Sequence, residues 1–363
     1  MPLGLAAGGR RVSNVADILF ERHGTAGIVT LNRPDALNAL SHDMVRAIAR
    51  ELAAWELDPT VTRVVITASG ERAFCAGGDL RALYDLMQAG RREEVLRFWW
   101  DEYRLNFLIK RLRKPYIAVI DGLVMGGGAG ISVHGSHRVA GDGLRFAMPE
   151  AGIGFFPDAG ATWFLPRLPG ETGTYIALTG ERLGPGDAVA LGIATHRVAS
   201  ARLRDLIEGL CGSVPVDALL GAFAESTAGG PVSARRSSID RLFQGDRVED
   251  ILAALERAAG GDGEEAALAA GSAAAIRGKS PMSLKLALAQ LRLGATLDFE
   301  ACLRTEFRIV SRVATGHDFR EGIRAVIVDK DHRPAWRPPA LDAVSDADVA
   351  RHFGPLTTEL DLS

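Results

Sequence analysis

Short apolar runs bounded by polar residues and glycines recur along the first half of the chain, and segments with helical periodicity separate them. Runs of this length, rich in valine, isoleucine and aromatic residues, are typical of β-strands. The predicted strands are Ala26–Leu31, Val64–Thr67, Tyr116–Ile120, His137–Ala140 and His196–Ala199.

Two of the intervening segments predict helices. Apolar residues recur at spacings of three and four between residues 44 and 55, and Ser41 can cap a helix that runs to Leu57. Arg104–Leu112 predicts a second helix. Strands separated by helices favour an α/β core over residues 15–200.

The second half of the chain has a helical character. Alanine, glycine and charged residues dominate Ala201–Arg277, with helical periodicity at Val248–Ala259. Ser280 can cap a helix whose first residue is Pro281. A further helix is predicted at Phe299–Ala314. Residues 201–340 are therefore predicted to be a helical region, and residues 341–363 a tail.

Composition and charge exclude several classes of protein. The 363 residues are 47% hydrophobic and 24% charged, which is the balance of a globular protein. A net charge of −3 offers nothing to attract nucleic acid or an acidic membrane surface. No apolar run reaches the length of about 18 residues that a spanning helix needs. Three widely separated cysteines, Cys75, Cys211 and Cys302, predict neither a disulfide framework nor a zinc site.

The N-terminal segment bears on location. Met1–Asn14 contains Arg10 and Arg11 and no acidic residue, as a mitochondrial transit peptide would. It is short and lacks an amphipathic pattern, so we predict a flexible lead-in. Together with the cysteine pattern, this predicts a cytoplasmic protein.

Two carboxylates stand in one apolar loop broken by glycine and proline. Glu150 and Asp158 lie in the segment Phe146–Asp158. Charged groups among apolar neighbours are costly unless they are paired or used in chemistry. From spacing alone, Glu150 could equally be a buried ion-pair or capping carboxylate, and Asp158 could cap the following helix.

Two glycine segments each follow a predicted strand. Gly77, Gly78 and Asp79 lie within Ala73–Leu80, and Gly126 and Gly127 lie within Met125–Gly130. Taken alone, the first segment could be a tight turn with Asp79 as a helix cap. Taken together, bare backbone N–H groups at two strand ends can form a two-point oxyanion hole.

These motifs, taken in order, resemble the crotonase (enoyl-CoA hydratase/isomerase) superfamily. The resemblance implies the crotonase (ClpP-like) spiral of ββα units with a C-terminal helical region, and an acyl-CoA thioester as substrate. It further implies that the peptide N–H groups of Ala76 and Gly127 hold the thioester oxygen. The segments that carry it are Asn32–Leu40, Ala73–Leu80, Lys114–Gly122, Met125–Gly130 and Leu178–Glu181.

A second resemblance concerns the hydrolases of the superfamily. Its hydratases use two glutamates, and here the downstream position is Glu150 whereas the upstream position is Gly130, which has no side chain. Addition of water to a double bond needs both an acid and a base. Four other segments are similar to the 3-hydroxyisobutyryl-CoA hydrolases of the superfamily, whereas Gly160–Trp163 departs from their pattern. The four segments are Trp100–Tyr103, Ala147–Asp158, Phe164–Leu168 and Gly316–Asp331.

This resemblance implies a role for each carboxylate. Glu150 attacks the thioester, either as nucleophile or as base for a water molecule, and the sequence leaves both routes open. Asp158 binds the 3-hydroxyl of the substrate. Glu102 is a third carboxylate contacting the substrate, although Asp101 and Glu102 could equally form a solvated helix start.

Further residues are candidates for binding. Gly77, Gly78, Asp79 and Gly126 are predicted to line the substrate site. Coenzyme A is predicted to meet the backbone at Arg33 and Ala36 and the side chain of Lys285, which could equally be a plain surface lysine. His134 and His137 are three residues apart without a third ligand nearby, so no metal site is expected.

The predicted function is hydrolysis of a short branched 3-hydroxyacyl-CoA of valine breakdown. No cofactor is expected, because coenzyme A is part of the substrate, and neither nucleic acid nor a membrane is an expected partner. Superfamily members often form trimers, so a homo-oligomer is an open expectation. The alternatives are an enoyl-CoA hydratase or isomerase acting on another acyl-CoA, and a noncatalytic acyl-CoA-binding homologue.

Overall fold

A computed structural model describes residues 10–363, and for residues 10–15 it describes the backbone alone. The predicted flexible lead-in lies outside the described residues as far as residue 9. From residue 10 onward the prediction of a flexible segment is wrong, because Arg10–Val15 forms a strand that pairs antiparallel with the next one. No helix among the described residues is long and apolar enough to cross a membrane.

The strands of residues 10–363 form two sheets. The larger has the order β1-β2-β3-β4-β6-β8-β10 and the smaller β5-β7-β9. The strands are β1 (Arg10–Val15), β2 (Ile18–His23), β3 (Ala26–Leu31), β4 (Arg63–Ala68), β5 (Ala73–Cys75), β6 (Tyr116–Ile120), β7 (Leu123–Met125), β8 (His137–Ala140), β9 (Arg145–Ala147) and β10 (His196–Arg197).

Helices make up most of the remaining structure. They are α1 (His42–Leu57), α2 (Leu80–Gln88), α3 (Arg92–Arg111), α4 (Gly127–Gly130), α5 (Ala161–Phe164), α6 (Thr172–Thr179), α7 (Pro185–Ala190), α8 (Leu203–Leu210), α9 (Val216–Phe223), α10 (Pro231–Ala234), α11 (Arg236–Phe243), α12 (Val248–Ala259), α13 (Gly263–Arg277), α14 (Pro281–Gly294), α15 (Phe299–Val313), α16 (His317–Ile323) and α17 (Asp346–Phe353). Short 3₁₀ turns occur at Pro34–Ala36, Glu150–Ile153, Leu165–Arg167, Ser200–Arg202 and Leu341–Ala343, and a π-helical turn at Arg324–Val328.

The chain divides into two compact units that interleave along the sequence. Of the described residues, the first contains 10–79, 104–146 and 183–234, and the second 80–103, 147–182 and 235–363. These units are defined by contacts within the fold, whereas the boundaries predicted at residues 200 and 340 were drawn from the sequence. The predicted boundaries therefore stay a prediction.

The first unit is built on the larger sheet. Strand β3 is buried along its whole length, pairs antiparallel with β2 and parallel with β4, and the sheet continues in parallel through β6 and β8 to β10. One face packs against α8, whose Leu206 and Leu210 join Val65 and Ile117 in a common core. Burial along the whole strand explains why β3 and β6 are almost entirely apolar instead of alternating.

The second unit is mainly helical, and the helical character predicted for the C-terminal region is confirmed. Ser280 caps α14 by accepting a hydrogen bond from the N–H of Ser283, and α12 has the predicted bounds. Residues 341–363, predicted as a tail, contain α17, and their last part packs on α15 through an ion pair of 2.9 Å between Arg308 and Glu359.

Candidate active site

Two glycine segments meet in the first unit because parallel strands place them side by side. Strands β5 and β7 pair in parallel, and the chain leaves them at Ala76 and Gly126. A Cβ atom built on Gly77 would lie 3.8 Å from the nitrogen of Gly127, and one on Gly128 would lie 2.4 Å from the carbonyl oxygen of Cys75. A side chain at residue 128 is therefore excluded by contact with the neighbouring backbone.

The free donors at this junction are Gly78 and Gly127. The N–H of Ala76 donates to the carbonyl of Leu37 at 3.1 Å, so it already has an acceptor. Leu40 bridges Gly78 in the parallel sense, which leaves the N–H of Gly78 directed away from that pairing. Within residues 10–363, the N–H groups of Gly78 and Gly127 donate to no protein acceptor. Gly78 therefore replaces Ala76 in the candidate donor pair.

Arg33 holds the loop that precedes these glycines. Its guanidinium lies 3.0 Å from Asp79 and 3.3 Å from Asp17, and donates to the carbonyl of Ala39. Ala36 is exposed, and its N–H donates to the carbonyl of Arg33 at 3.0 Å. Arg33 and Asp79 thus have a structural role in the loop, and contact of this loop with coenzyme A stays a prediction.

Four buried carboxylates characterise the second unit. Glu102, Glu150, Asp158 and Glu306 are exposed by 2%, 5%, 4% and 0%. Such groups are costly to bury as anions without partners, and each raises the proton affinity of its neighbours. A buried cluster of acids with raised pKa values is a recognised mark of a functional site.

Glu102 lies on the buried face of α3. Burial raises the pKa of this carboxyl well above its usual range, and the charges of Asp158 and Glu306 raise it further. Its Oε1 atom accepts no hydrogen bond from any residue between 16 and 363. The alternative of a solvated helix start is wrong, because α3 begins at Arg92, well before the start predicted for this helix.

Asp158 is an acceptor for two side chains of α3. The Tyr103 hydroxyl donates to its Oδ2 at 2.9 Å, and the Trp99 indole also donates to the carboxylate. Burial raises the pKa of Asp158 to about 7, and these two hydrogen bonds oppose the rise. The capping alternative is wrong, because α5 is capped by Gly160 without a side-chain hydrogen bond.

Glu150 opens the 3₁₀ turn Glu150–Ile153. Burial raises the pKa of this carboxyl well above its usual range, the charge of Asp158 adds to the rise, and the Lys279 ammonium opposes it. Its Oε2 atom accepts no hydrogen bond from the described side chains or backbone. The turn is preceded by Pro149 without a side-chain cap, so Glu150 is not a helix cap.

Glu306 was not predicted. It lies on α15, and its two oxygens accept hydrogen bonds from the N–H groups of Gly160 at 2.8 Å and Thr162 at 2.9 Å. Burial and the charge of Asp158 raise the pKa of Glu306 to about 8. The available signal was a glutamate within an apolar stripe, since Leu303 and Val310 stand three residues before and four after it.

Two other candidate groups have partners. Lys285 is buried and not a surface residue: its ammonium lies 2.6 Å from Glu249 and donates to the carbonyl of Val344 at 2.8 Å. His137 lies 2.9 Å from Asp217. Among the side chains that the structure describes, no cluster of three or more histidine, cysteine, aspartate or glutamate residues could hold a metal.

Each unit, taken by itself, contains groups that suit acyl-transfer chemistry. The first offers N–H donors to a developing oxyanion, and the second offers carboxylates that can attack a carbonyl or accept a proton. In the second unit the structure brings together Glu102, Glu150 and Asp158, which the sequence predicted, with Tyr103, Trp99 and Glu306, which it did not.

Comparison with known proteins agrees with this chemistry. The sequence profile described as enoyl-CoA hydratase/isomerase matches residues 26–353. Mitochondrial 3-hydroxyisobutyryl-CoA hydrolase of Gallus gallus is 42% identical over 358 residues, 96% of this chain and 91% of that protein. The protein of the same name from Danio rerio is 42% identical over 94% of this chain and 90% of its own length.

A solved structure is similar along almost the whole chain. The crystal structure of a carnitinyl-CoA dehydratase from Mycobacterium thermoresistibile has a TM-score of 0.90 and 42% identity, covering 96% of this chain and 99% of that one.

The predicted cytoplasmic location is wrong on this evidence. Both curated relatives are named as mitochondrial proteins. The pattern of residues 1–14 and the three separated cysteines are therefore insufficient to indicate a cytoplasmic protein.

Proposed function

The chain belongs to the enoyl-CoA hydratase/isomerase family, and on that premise we propose that it hydrolyses 3-hydroxyisobutyryl-CoA to 3-hydroxyisobutyrate and coenzyme A. The predicted crotonase fold is confirmed by the family match and the structural likeness. The observation that carries the proposal is the buried cluster of Glu150, Asp158 and Glu102, combined with glycine at position 130.

The proposed chemistry begins at the thioester carbonyl. The N–H groups of Gly78 and Gly127 stabilise negative charge on its oxygen, which is the largest single contribution in many acyl-transfer enzymes. The Glu150 carboxylate attacks the carbonyl carbon directly, or removes a proton from an attacking water molecule. In the first route a mixed anhydride forms, the thiolate of coenzyme A leaves, and water then hydrolyses the anhydride.

Selectivity is assigned to Asp158 and Glu102. Asp158 accepts hydrogen bonds from Tyr103 and Trp99, and its remaining acceptor positions suit the 3-hydroxyl of the substrate. A buried site built to bond a hydroxyl discriminates strongly against analogues without one. The unpartnered Oε1 of Glu102 suits a second polar contact with the acyl group. We place the reaction in valine breakdown, as the resemblance to the hydrolases implies.

The second candidate is a hydratase or dehydratase. It is favoured by the carnitinyl-CoA dehydratase, which is as similar in sequence as the hydrolases are. It is disfavoured by Gly130, because a buried glycine has no side chain that could supply the second acid–base group.

Two assays with purified protein separate these functions. Thiol release from 3-hydroxyisobutyryl-CoA, without loss of the enoyl absorbance of crotonyl-CoA, is expected for the hydrolase. Loss of the enoyl absorbance without thiol release would assign the chain to the hydratases. Binding of both thioesters without turnover of either would make it an acyl-CoA-binding protein.

A further inference from the structure

Tyr103 lies directly behind a carboxylate that the proposed reaction uses. Its hydroxyl is fully buried and donates to Oδ2 of Asp158 at 2.9 Å. Trp99 precedes it by one helical turn on α3, so both donors project from the same face of one helix.

The Trp99 indole is fixed by its packing. Its ring stacks on Phe155 with centroids 5.4 Å apart and an interplanar angle of 23°, and it contacts Phe319 at 5.9 Å. A helix and an aromatic stack therefore fix the two donors before any ligand arrives. Preorganised donors of this kind define which oxygen of a carboxylate stays available.

We propose that Tyr103 is a positioning residue that, together with Trp99, holds Asp158 as a hydrogen-bond acceptor and thereby sets the preference for 3-hydroxylated acyl chains. This inference rests on the proposed function, because it concerns the acyl group of the same substrate. A neutral hydroxyl and an indole N–H both donate, so Asp158 is left to accept from a third donor. The 3-hydroxyl of the substrate is a donor of the required kind.

The first test compares Tyr103→Phe with the wild type. The variant keeps the buried ring and removes only the oxygen. The ratio of kcat/KM for 3-hydroxyisobutyryl-CoA over isobutyryl-CoA is expected to fall by about 10-fold, typical of a lost hydrogen bond to a charged group. The acid limb of the pH profile for the hydroxylated substrate is expected to move to higher pH, because a hydrogen bond that favoured the ionised form is gone.

Tyr116→Phe is the matched control. Tyr116 is also buried, and its hydroxyl also donates at 2.9 Å, but to the backbone carbonyl of Ile131. It is expected to leave both the ratio and the pH profile unchanged. Trp99→Phe, which keeps an aromatic ring in the stack, is expected to shift both readouts in the same direction as Tyr103→Phe and serves if that variant does not fold.

The outcomes are distinguishable from failure of the proposed function. Equal losses for both substrates, with an unchanged ratio and pH profile, would overturn the positioning role. If the wild type releases no thiol, the ratio of dissociation constants for the two thioesters replaces the kinetic ratio. A binding preference that falls in Tyr103→Phe would keep the inference while the hydrolase is rejected, and equal binding of both thioesters by the wild type would overturn it.

Discussion

Glu306 accepts a hydrogen bond of 2.8 Å from the N–H of Gly160, and this contact ties the loop that carries Asp158 to helix α15. The loop needs the support, because Ala159 and Gly160 both adopt positive φ, at 55° and 87°. Such a conformation is uncommon for alanine and persists only where the surroundings fix it. Gln290 on α14 also donates to the carbonyl of Pro157.

Glu306→Gln is expected to destabilise the protein by about 2 kcal/mol. The amide oxygen can accept from one of the two N–H groups, but the amide NH₂ then faces the other N–H, so that two donors meet without an acceptor. Urea unfolding measures the change. Glu300→Gln on the same helix is the control, since Glu300 is only partly buried and pairs with Arg304 across one turn. Surface pairs of this kind contribute only a few tenths of a kcal/mol. Equal effects of the two substitutions would contradict the anchoring role.

Glu150→Gln is expected to reduce thiol release from 3-hydroxyisobutyryl-CoA by about 10³-fold, a loss of roughly 4 kcal/mol of transition-state stabilisation. An amide is neither a nucleophile nor a base at neutral pH. Removal of the buried charge should not lower stability, because Glu150 Oε2 has no partner to lose. Glu264→Gln, at an exposed site on α13, controls for the chemical change. Release within a few-fold of the wild type would remove Glu150 from the mechanism.

Asp158→Asn is expected to abolish most of the preference for 3-hydroxylated over plain acyl-CoA thioesters. The amide oxygen can still accept from Tyr103, but the NH₂ group is a donor and cannot accept a hydrogen bond from the substrate hydroxyl. The ratio of kcat/KM values for the two substrates measures the effect, with exposed Asp205→Asn as control. If the ratio in Asp158→Asn matches that of the wild type, another residue reads the hydroxyl.

Much of the scaffold could be predicted because local patterns determine it. Strands β6 and β8 and helix α12 have the predicted bounds, and Ser41 caps α1 as expected. Helix α3 was predicted too short. The part that was missed, residues 92–103, contains the acidic residues Glu93, Glu94, Asp101 and Glu102 among apolar ones, which masked the helical periodicity.

The site was predicted only where a motif marked it. Glu150 and Asp158 stand in a conspicuous loop, whereas Glu306 lies about 150 residues further along the chain and interacts with that loop only in three dimensions. The pair of oxyanion donors could be identified only from the backbone hydrogen bonds. The sequence does not show whether the N–H of Ala76 or that of Gly78 is free, and the hydrogen bond from Ala76 to the carbonyl of Leu37 shows that the former already has an acceptor.

The carboxylate cluster predicts an unusual pH dependence of stability. A carboxyl whose pKa is higher in the folded than in the unfolded state takes up protons on folding, so the free energy of unfolding decreases as pH rises between the two values. Burial raises the pKa of Asp158 from 3.8 to about 7 and that of Glu306 from 4.5 to about 8. The affected window is therefore about pH 4 to 8.

Comparison of Asp158→Asn with the wild type isolates this effect. The histidines with lowered pKa values, His196 and His352, have the opposite slope, but they are common to both proteins. The variant is expected to gain stability relative to the wild type between pH 5 and pH 8, by about 1 kcal/mol or more, as one pKa unit corresponds to about 1.4 kcal/mol. Urea unfolding at both pH values measures this change. The same difference in free energy of unfolding between variant and wild type at pH 5 and pH 8 would contradict the prediction.

Gly128→Ala tests the close approach of the two donor segments. A Cβ atom there would lie 2.4 Å from the carbonyl oxygen of Cys75, which is backbone and cannot rotate away. The segments must separate, so we expect a loss of stability of about 2 kcal/mol or more together with reduced thiol release. Gly271→Ala is the control, because Gly271 lies within helix α13 with no atom within 4 Å of its Cβ position. That substitution is expected to stabilise the helix by about 0.5–1 kcal/mol. Normal stability and activity of Gly128→Ala would show that the donor segments tolerate separation and would contradict their assignment to a preorganised oxyanion hole.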